Sequence, residues 1–128
     1  MKIAINGFGR IGRITLRALL QKSGLQVVAI NDLSDTKTLA HLFKYDSVHR
    51  GFDGEVSAEK DHLLINGQKI RVFAEKDPSK LPWKDLNIDV VIESTGKFTD
   101  KTGAGLHLQA GASQVIISAP SSDKEIPT

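Results

Sequence analysis

Three glycines within six residues, Gly7-Phe8-Gly9-Arg10-Ile11-Gly12, break the chain just after the apolar run Ile3-Ala4-Ile5. The spacing is G-x-G-x-x-G, and it constrains the fold more than any other feature. The first glycine permits a tight turn from strand to helix, and the second lets the backbone approach a pyrophosphate. The third lets the helix pack closely on a sheet. Ile3 and Ile5 start a strand. Arg10 to Lys22 reads as a helix, with Ile11, Ile14, Leu16 and Leu20 on one face and Gly24 at its exit. Leu25 to Ile30 is a second strand, nearly continuous in apolar character after Gln26, as in strands buried on both faces. Strand, glycine turn, helix and strand make a right-handed parallel unit.

Asp35 or Thr36 caps a second predicted helix through Leu39, Ala40, Leu42 and Phe43. The texture changes between Gly51 and Phe73, where short β-prone pieces alternate with polar turns. Asn66-Gly67 is a hairpin signal, so residues 52–75 are expected to form a small antiparallel insertion. Asp77 to Trp83 is a turn-rich connection. Parallel texture resumes at Asp89 to Glu93 and closes at Ser94-Thr95-Gly96. Lys101 to Ala110 is a helix candidate despite Gly103 and Gly105, and Gln114 to Ser118 is the last predicted strand. The expected class is α/β, a Rossmann-type doubly wound parallel sheet with the antiparallel insertion, truncated at the C-terminus. At 128 residues the chain is expected to be one partial dinucleotide-binding domain, residues 1–128.

Two context tests strengthen the phosphate reading. The glycine motif follows a strand and opens a helix. The second strand ends in Asn31-Asp32, and Asp32 lies 20 residues after Gly12. An acid there accepts hydrogen bonds from both adenosine ribose hydroxyls and repels a 2'-phosphate, so NAD is expected over NADP. Leu33 offers no hydroxyl to a 2'-phosphate. Arg10 adds positive charge beside the pyrophosphate. Ser94, Thr95 and Ser118 stand at carboxyl ends of predicted parallel strands, where open sheets bind ligands.

The rest of the composition narrows the choice. With no cysteine, these residues hold no disulfide, thiolate metal site or cysteine nucleophile. Lys and Arg outnumber Asp and Glu by only 17 to 15, with the signs interspersed, so no specific nucleic-acid partner is expected. No run is long enough for a membrane span, and the N-terminal apolar stretch is too short for a signal peptide. A cytoplasmic protein is expected. His41, His49, His62 and His107 lack a recognisable Ser or Cys partner and form no H-E-x-x-H. No catalytic residue and no metal ligand is assigned.

AINGFGRIGR followed by AINDLSDTKTLAHLFKYDSVH resembles the N-terminal half of phosphorylating glyceraldehyde-3-phosphate dehydrogenases. VVIESTGKFTD and HLQAGASQVIISAP resemble two later landmarks of the same domain, and the likeness runs over nearly all 128 residues. The resemblance implies that Asn6, Gly7, Phe8, Gly9, Arg10 and Ile11 surround the pyrophosphate and that Asp32 holds the adenosine ribose. It puts Lys76 and Phe98 near the adenine, Thr95 and Gly96 along the dinucleotide, and Ser118 toward the nicotinamide half. Many members have Arg in place of Lys76, and Arg50-Gly51 reverses a common Gly-Arg order.

The implied reaction needs a cysteine thiolate and a histidine, both expected beyond this chain, so the chain alone is expected to be inactive. The catalytic half and further copies are the partners the resemblance implies for the parent protein. The chain itself is expected to be able to dimerise through an exposed sheet edge. A fragment of erythrose-4-phosphate dehydrogenase is an alternative, although that sibling usually carries Glu where this chain has Asp32. An autonomous NAD-binding or regulatory module is another.

Overall fold

A computed structural model describes residues 1–22, 24–45, 55–95 and 101–117. The strands are β1 (Lys2–Asn6), β2 (Gln26–Asn31), β3 (Val56–Ala58), β4 (His62–Ile65), β5 (Gln68–Phe73), β6 (Val90–Glu93) and β7 (Gln114–Ile117). They form one sheet in the order β3-β4-β5-β2-β1-β6-β7. The helices are α1 (Arg10–Leu19), α2 (Thr36–Tyr45) and α3 (Lys101–Gln109), with a 3-10 turn at Pro78–Lys80.

The pairs β5-β2, β2-β1, β1-β6 and β6-β7 are parallel, while β3-β4 and β4-β5 are antiparallel. β5 therefore belongs to both textures. The antiparallel segment extends the same sheet. Asn66 (φ 52°) and Gly67 (φ 83°) form the two-residue hairpin between β4 and β5, as their sequence anticipates.

Strand alternation sorts the interior into two clusters, with an irregularity in β2, where Val28 is the extra residue opposite Ile3-Ala4, bringing Val27 and Ile30 to the same face. One contains Ile3 and Ile5 of β1, Val27 and Ile30 of β2, Leu16 of α1 and Leu39 and Phe43 of α2. The other contains Ala4, Ala29 and Val91 with Leu81, Trp83, Ala110 and Ala112. The sheet is thus covered on both faces, and its central strands are apolar on both faces for that reason.

Helix α1 departs from its expected face. Ile11 and Ile14 are 48% and 38% exposed, while Gly12 and Leu16 are buried. The cause is the closeness of the helix to the turn that launches it. A Cβ at Gly12 would lie 2.2 Å from the Gly7 carbonyl oxygen, so the contact stripe starts at Gly12 and continues through Leu16 to Leu19 and Leu20. Ile11 and Ile14 fall to its flanks. The helix also ends at Leu19, short of Lys22. Gln21 N and Lys22 N bond three residues back to Ala18 O and Leu19 O, and Gly24 (φ 83°) turns the chain toward β2.

Asp35 caps α2. Thr38 N donates to Asp35 Oδ1 at 2.7 Å, and that backbone bond holds the Asp35 carboxyl below its ordinary value of 3.8. A carboxyl depressed by folding contributes stability above its unfolded pKa, and that contribution disappears as pH falls through the folded value. Asp35→Asn keeps an acceptor that does not titrate. Thermal melts from about pH 5 to pH 2 should therefore show a shallower acid loss in the variant than in the wild type. Equal slopes would remove Asp35 from the acid transition.

Gly12→Ala should lower the urea midpoint by the equivalent of about 1–3 kcal/mol, because the blocking atom is backbone. Gly9→Ala is the control. A Cβ there meets nothing within 4 Å, and its cost should stay near the roughly 1 kcal/mol of an altered helix cap. A Gly12→Ala protein with an unchanged midpoint would refute the close helix–turn contact.

Candidate functional site

The chain leaves β1 toward β2 on one side, and β6 returns to pair with β1 on the other. At the carboxyl ends of these strands the connections diverge and leave a crevice. A cleft of about 690 Å³ opens there. Asn6, Gly7 and Gly9 contribute from the turn, and Asn31, Asp32 and Leu33 from the end of β2. Glu75 and Lys76 follow β5, and Ser94 and Thr95 follow β6.

Bonds to its own backbone build the turn. Gly7 has φ 93°, and its N–H donates to Asn31 O at 2.8 Å. A Cβ at Gly7 would stand 2.7 Å from Thr95 Cγ2 and 2.8 Å from Thr95 N, so glycine is required both by conformation and by space. Ser94 Oγ donates to Gly7 O at 2.6 Å, and Ser94 N donates to Asn6 O at 2.8 Å. Asp32 closes the turn from the other side. Its Oδ2 accepts from Phe8 N at 2.7 Å and its Oδ1 from Ser34 N at 3.0 Å.

Helix α1 starts at Arg10, directly after Gly9 on the cleft wall. Gly9 supplies no side-chain cap, and no acidic residue occurs in the first turn. The positive end of the helix is therefore left for an anion. The space where Gly9 would carry a Cβ is open.

Asn6, Gly7, Gly9, Asp32, Lys76 and Thr95 all line the cleft. Phe8 gives its backbone to the turn, while its ring is buried in the core 6.0 Å from the Phe43 ring. Arg10 and Ile11 stand exposed on the first turn of α1. Gly96, Phe98 and Ser118 lie outside the described residues, as do His49 and Arg50-Gly51.

Beneath the cleft runs a buried polar row that sequence reasoning missed. Asn31 pairs in register with Asn6, and Asn6 with Glu93. Asn31 Nδ2 donates to Asn6 Oδ1 at 2.7 Å, and Asn6 Nδ2 donates to Glu93 Oε2 at 2.6 Å. His107, for which the sequence suggests no Ser or Cys partner, is fully buried against the same carboxylate oxygen, with Nε2 at 2.6 Å. Trp83 Nε1 donates to His107 Nδ1 at 3.0 Å. An indole N–H can only donate, so Nδ1 accepts and Nε2 carries the hydrogen bonded to Glu93. The Nε2 hydrogen thus points at the Glu93 carboxyl oxygen. The signal for this row lies in the strand ends Ile5-Asn6, Ile30-Asn31 and Ile92-Glu93. Each apolar run stops on a polar side chain at the same height.

The other described histidines do not join the cleft. His62 bonds Asp61 at 2.8 Å on the β4 side, and this bond lowers the Asp61 carboxyl below its ordinary value. His41 lines a separate groove between α2 and β3. Among the described residues no group of three or more His, Asp or Glu is placed to hold a metal ion.

Residues 1–101 match the sequence profile described as glyceraldehyde 3-phosphate dehydrogenase, NAD binding domain. A glyceraldehyde-3-phosphate dehydrogenase of Thermotoga maritima is 58% identical over 127 residues, covering 98% of this chain and 38% of its own length. The Mycoplasma pneumoniae protein of the same name is 56% identical over 128 residues, covering 100% of this chain and 38% of its own. For that of Clostridium acetobutylicum the figures are 60% over 119 residues, 93% and 36%. The chain therefore spans less than two fifths of the length of these relatives.

The tautomer can be checked directly. Long-range 1H–15N spectra at neutral pH should show His107 Nδ1 as the unprotonated nitrogen. Trp83→Phe should release that preference, because it removes the donor. A protonated Nδ1 in the wild type would contradict the assigned bond.

Proposed function

The chain belongs to the glyceraldehyde-3-phosphate dehydrogenase family, and its residues 1–101 correspond to that family's NAD-binding domain. From that premise we propose that the cleft at the β1–β6 divergence is where NAD sits. The observation that carries this reading is Asp32, which lies on the cleft wall with its carboxylate bonded to the N–H of Phe8 in the glycine turn. One carboxylate thus touches the turn proposed for the pyrophosphate and faces the space proposed for the ribose.

The residues present fit the cofactor. The uncapped N-terminus of α1 suits the pyrophosphate, and the open space above Gly9 lets phosphate oxygens approach the backbone. Arg10 and Ile11 contribute first-turn N–H groups, and Arg10 adds positive charge. Gly7, Phe8 and Asn6 shape the turn. Asp32 accepts from ribose hydroxyls, and Lys76 and Leu33 border the adenosine side. Thr95 flanks the turn from β6, with Gly96, Phe98 and Ser118 as further contacts along the dinucleotide. Bound there, NAD accepts hydride.

We assign the whole protein the NAD-dependent oxidation of glyceraldehyde 3-phosphate, with this chain contributing the cofactor side as a single domain over residues 1–128. These 128 residues contain no cysteine to form an acyl thioester with the aldehyde. The remaining length of such an enzyme and further copies of it are the partners, in the cytoplasm. Among the described residues no helix is long and apolar enough to cross a membrane.

Calorimetric titration with NAD and NADP tests the cofactor assignment. The wild type should prefer NAD. Asp32→Asn should narrow that preference about tenfold by removing the charge that opposes a 2'-phosphate. Asp32→Ala should also weaken NAD itself by roughly 1.5–3 kcal/mol, because the latch on Phe8 goes too. Equal affinity of the wild type for both cofactors would overturn the role given to Asp32.

A further inference from the structure

We infer that Glu93 is a positioning residue of the cofactor cleft. Its carboxylate, held from behind by His107 and Trp83, sets the orientation of Asn6 and Thr95 on either side of the β1–β6 divergence. The inference rests on the reading of the cleft as an NAD site.

Glu93 is fully buried, and four donors converge on its two oxygens. Oε2 accepts from Asn6 Nδ2 and from His107 Nε2, each at 2.6 Å. Oε1 accepts from Thr95 N at 3.1 Å and from Thr95 Oγ1 at 2.5 Å. Three of the four donors therefore belong to two residues that line the cleft, Asn6 and Thr95, and those two residues are reached by different oxygens of one rigid group.

The direction of each bond to Glu93 is determined, while Asn6 Nδ2 and His107 Nε2, 3.3 Å apart, are both donors to its Oε2 and do not bond each other. Trp83 can only donate, so His107 must accept at Nδ1 and donate at Nε2. Glu93 accepts, which requires Asn6 to present Nδ2 to it. Asn6 Oδ1 is then left to accept from Asn31 Nδ2. Asn31 Oδ1 in turn accepts from Glu75 N at 2.9 Å, and its Nδ2 donates to Glu75 O at 2.9 Å. A flip of the Asn6 amide would set donor against donor at Asn31 and acceptor against acceptor at Glu93. The row thus runs from the core under α3 to the Glu75-Lys76 wall of the cleft, and no amide in it turns independently.

Packing alone does not call for a carboxylate here. Two residues earlier on the same strands and face, Val91, Ala4 and Ala29 fill the space with apolar groups. A buried polar row costs free energy unless each member is satisfied, and apolar replacements of such groups are often neutral or stabilising. What Glu93 adds is fixed direction at the two cleft residues it touches. Glutamine in its place brings two hydrogens toward donors that need acceptors.

The test uses the full 128-residue chain with Trp83→Phe, Glu93→Gln and, as a control in the same core cluster, Ile88→Val. Trp83 does not line the cleft. Trp83→Phe should weaken NAD about threefold to tenfold and speed hydrogen exchange at the Thr95 amide and the Asn6 side chain. Glu93→Gln should weaken NAD by more than about tenfold. Ile88→Val should lower the urea midpoint and leave both the NAD affinity and those exchange rates unchanged. Unchanged exchange at Thr95 and Asn6 in Trp83→Phe would overturn the inference, as would equal weakening by Ile88→Val. Should Glu93→Gln not fold, Trp83→Phe decides. A wild type that does not bind NAD would reject the cofactor reading, and exchange in the free chain would then decide the positioning role alone.

Discussion

Parallel register is the constraint from which the site follows. Asn31, Asn6 and Glu93 are direct partners across β2, β1 and β6, and they are the last residues of those strands. Period-two alternation puts them on the face that carries Ala29, Ala4 and Val91. A slip of one residue would bring Ile30, Ile5 and Ile92 to that face and drive the polar ends into the opposite cluster. The polar row and the two apolar clusters thus enforce the same alignment. That alignment delivers the glycine turn, Asp32 and Thr95 to one crevice.

Within the crevice, side chains from neighbouring strands bond the turn's backbone. Ser94 holds Gly7 O, Asp32 holds Phe8 N, and the flank of Thr95 occupies the space a Gly7 side chain would need. Turn shape is therefore coupled to the ends of β2 and β6. Asp32 has two duties that cannot be separated by deleting it. Its charge faces the cleft, while its oxygens secure backbone N–H groups on both sides. Loss of the charge alone and loss of the whole side chain are different perturbations.

How legible each part was in the sequence depended on its range. Glycine spacing, Asp32 and the Asn66-Gly67 hairpin are local patterns, and each element they imply exists in the structure. The exposed Ile11 and Ile14 were misread because hydrophobic periodicity assumes that the largest residues face the sheet. Here the smallest one does, since Gly12 meets a backbone oxygen. Membership of β5 in the main sheet depends on its pairing with β2, about which a hairpin motif says nothing. The row through Glu93 was invisible for the same reason. His107 meets a carboxylate 14 residues away and an indole 24 away, and Asn6 meets Glu93 across 87 residues. Only the shared Ile-polar endings of three strands hinted at it.

The two faces of the sheet divide the work. The α1–α2 face is filled by branched and aromatic side chains, Ile3, Ile5, Val27, Ile30, Leu39 and Phe43 among them, and contributes chiefly burial. The other face is built from alanines on β1, β2 and the α3–β7 connection, with Trp83 as its large member. Small residues there are needed for the site. Ala4 and Ala29 are fully buried, and bulkier side chains would overpack the cluster that also holds Trp83. Trp83 would then be displaced from His107, His107 from Glu93, and the cleft residues from their partner. The alanines thus serve the geometry of the cleft through the room they leave, although none of them lines it.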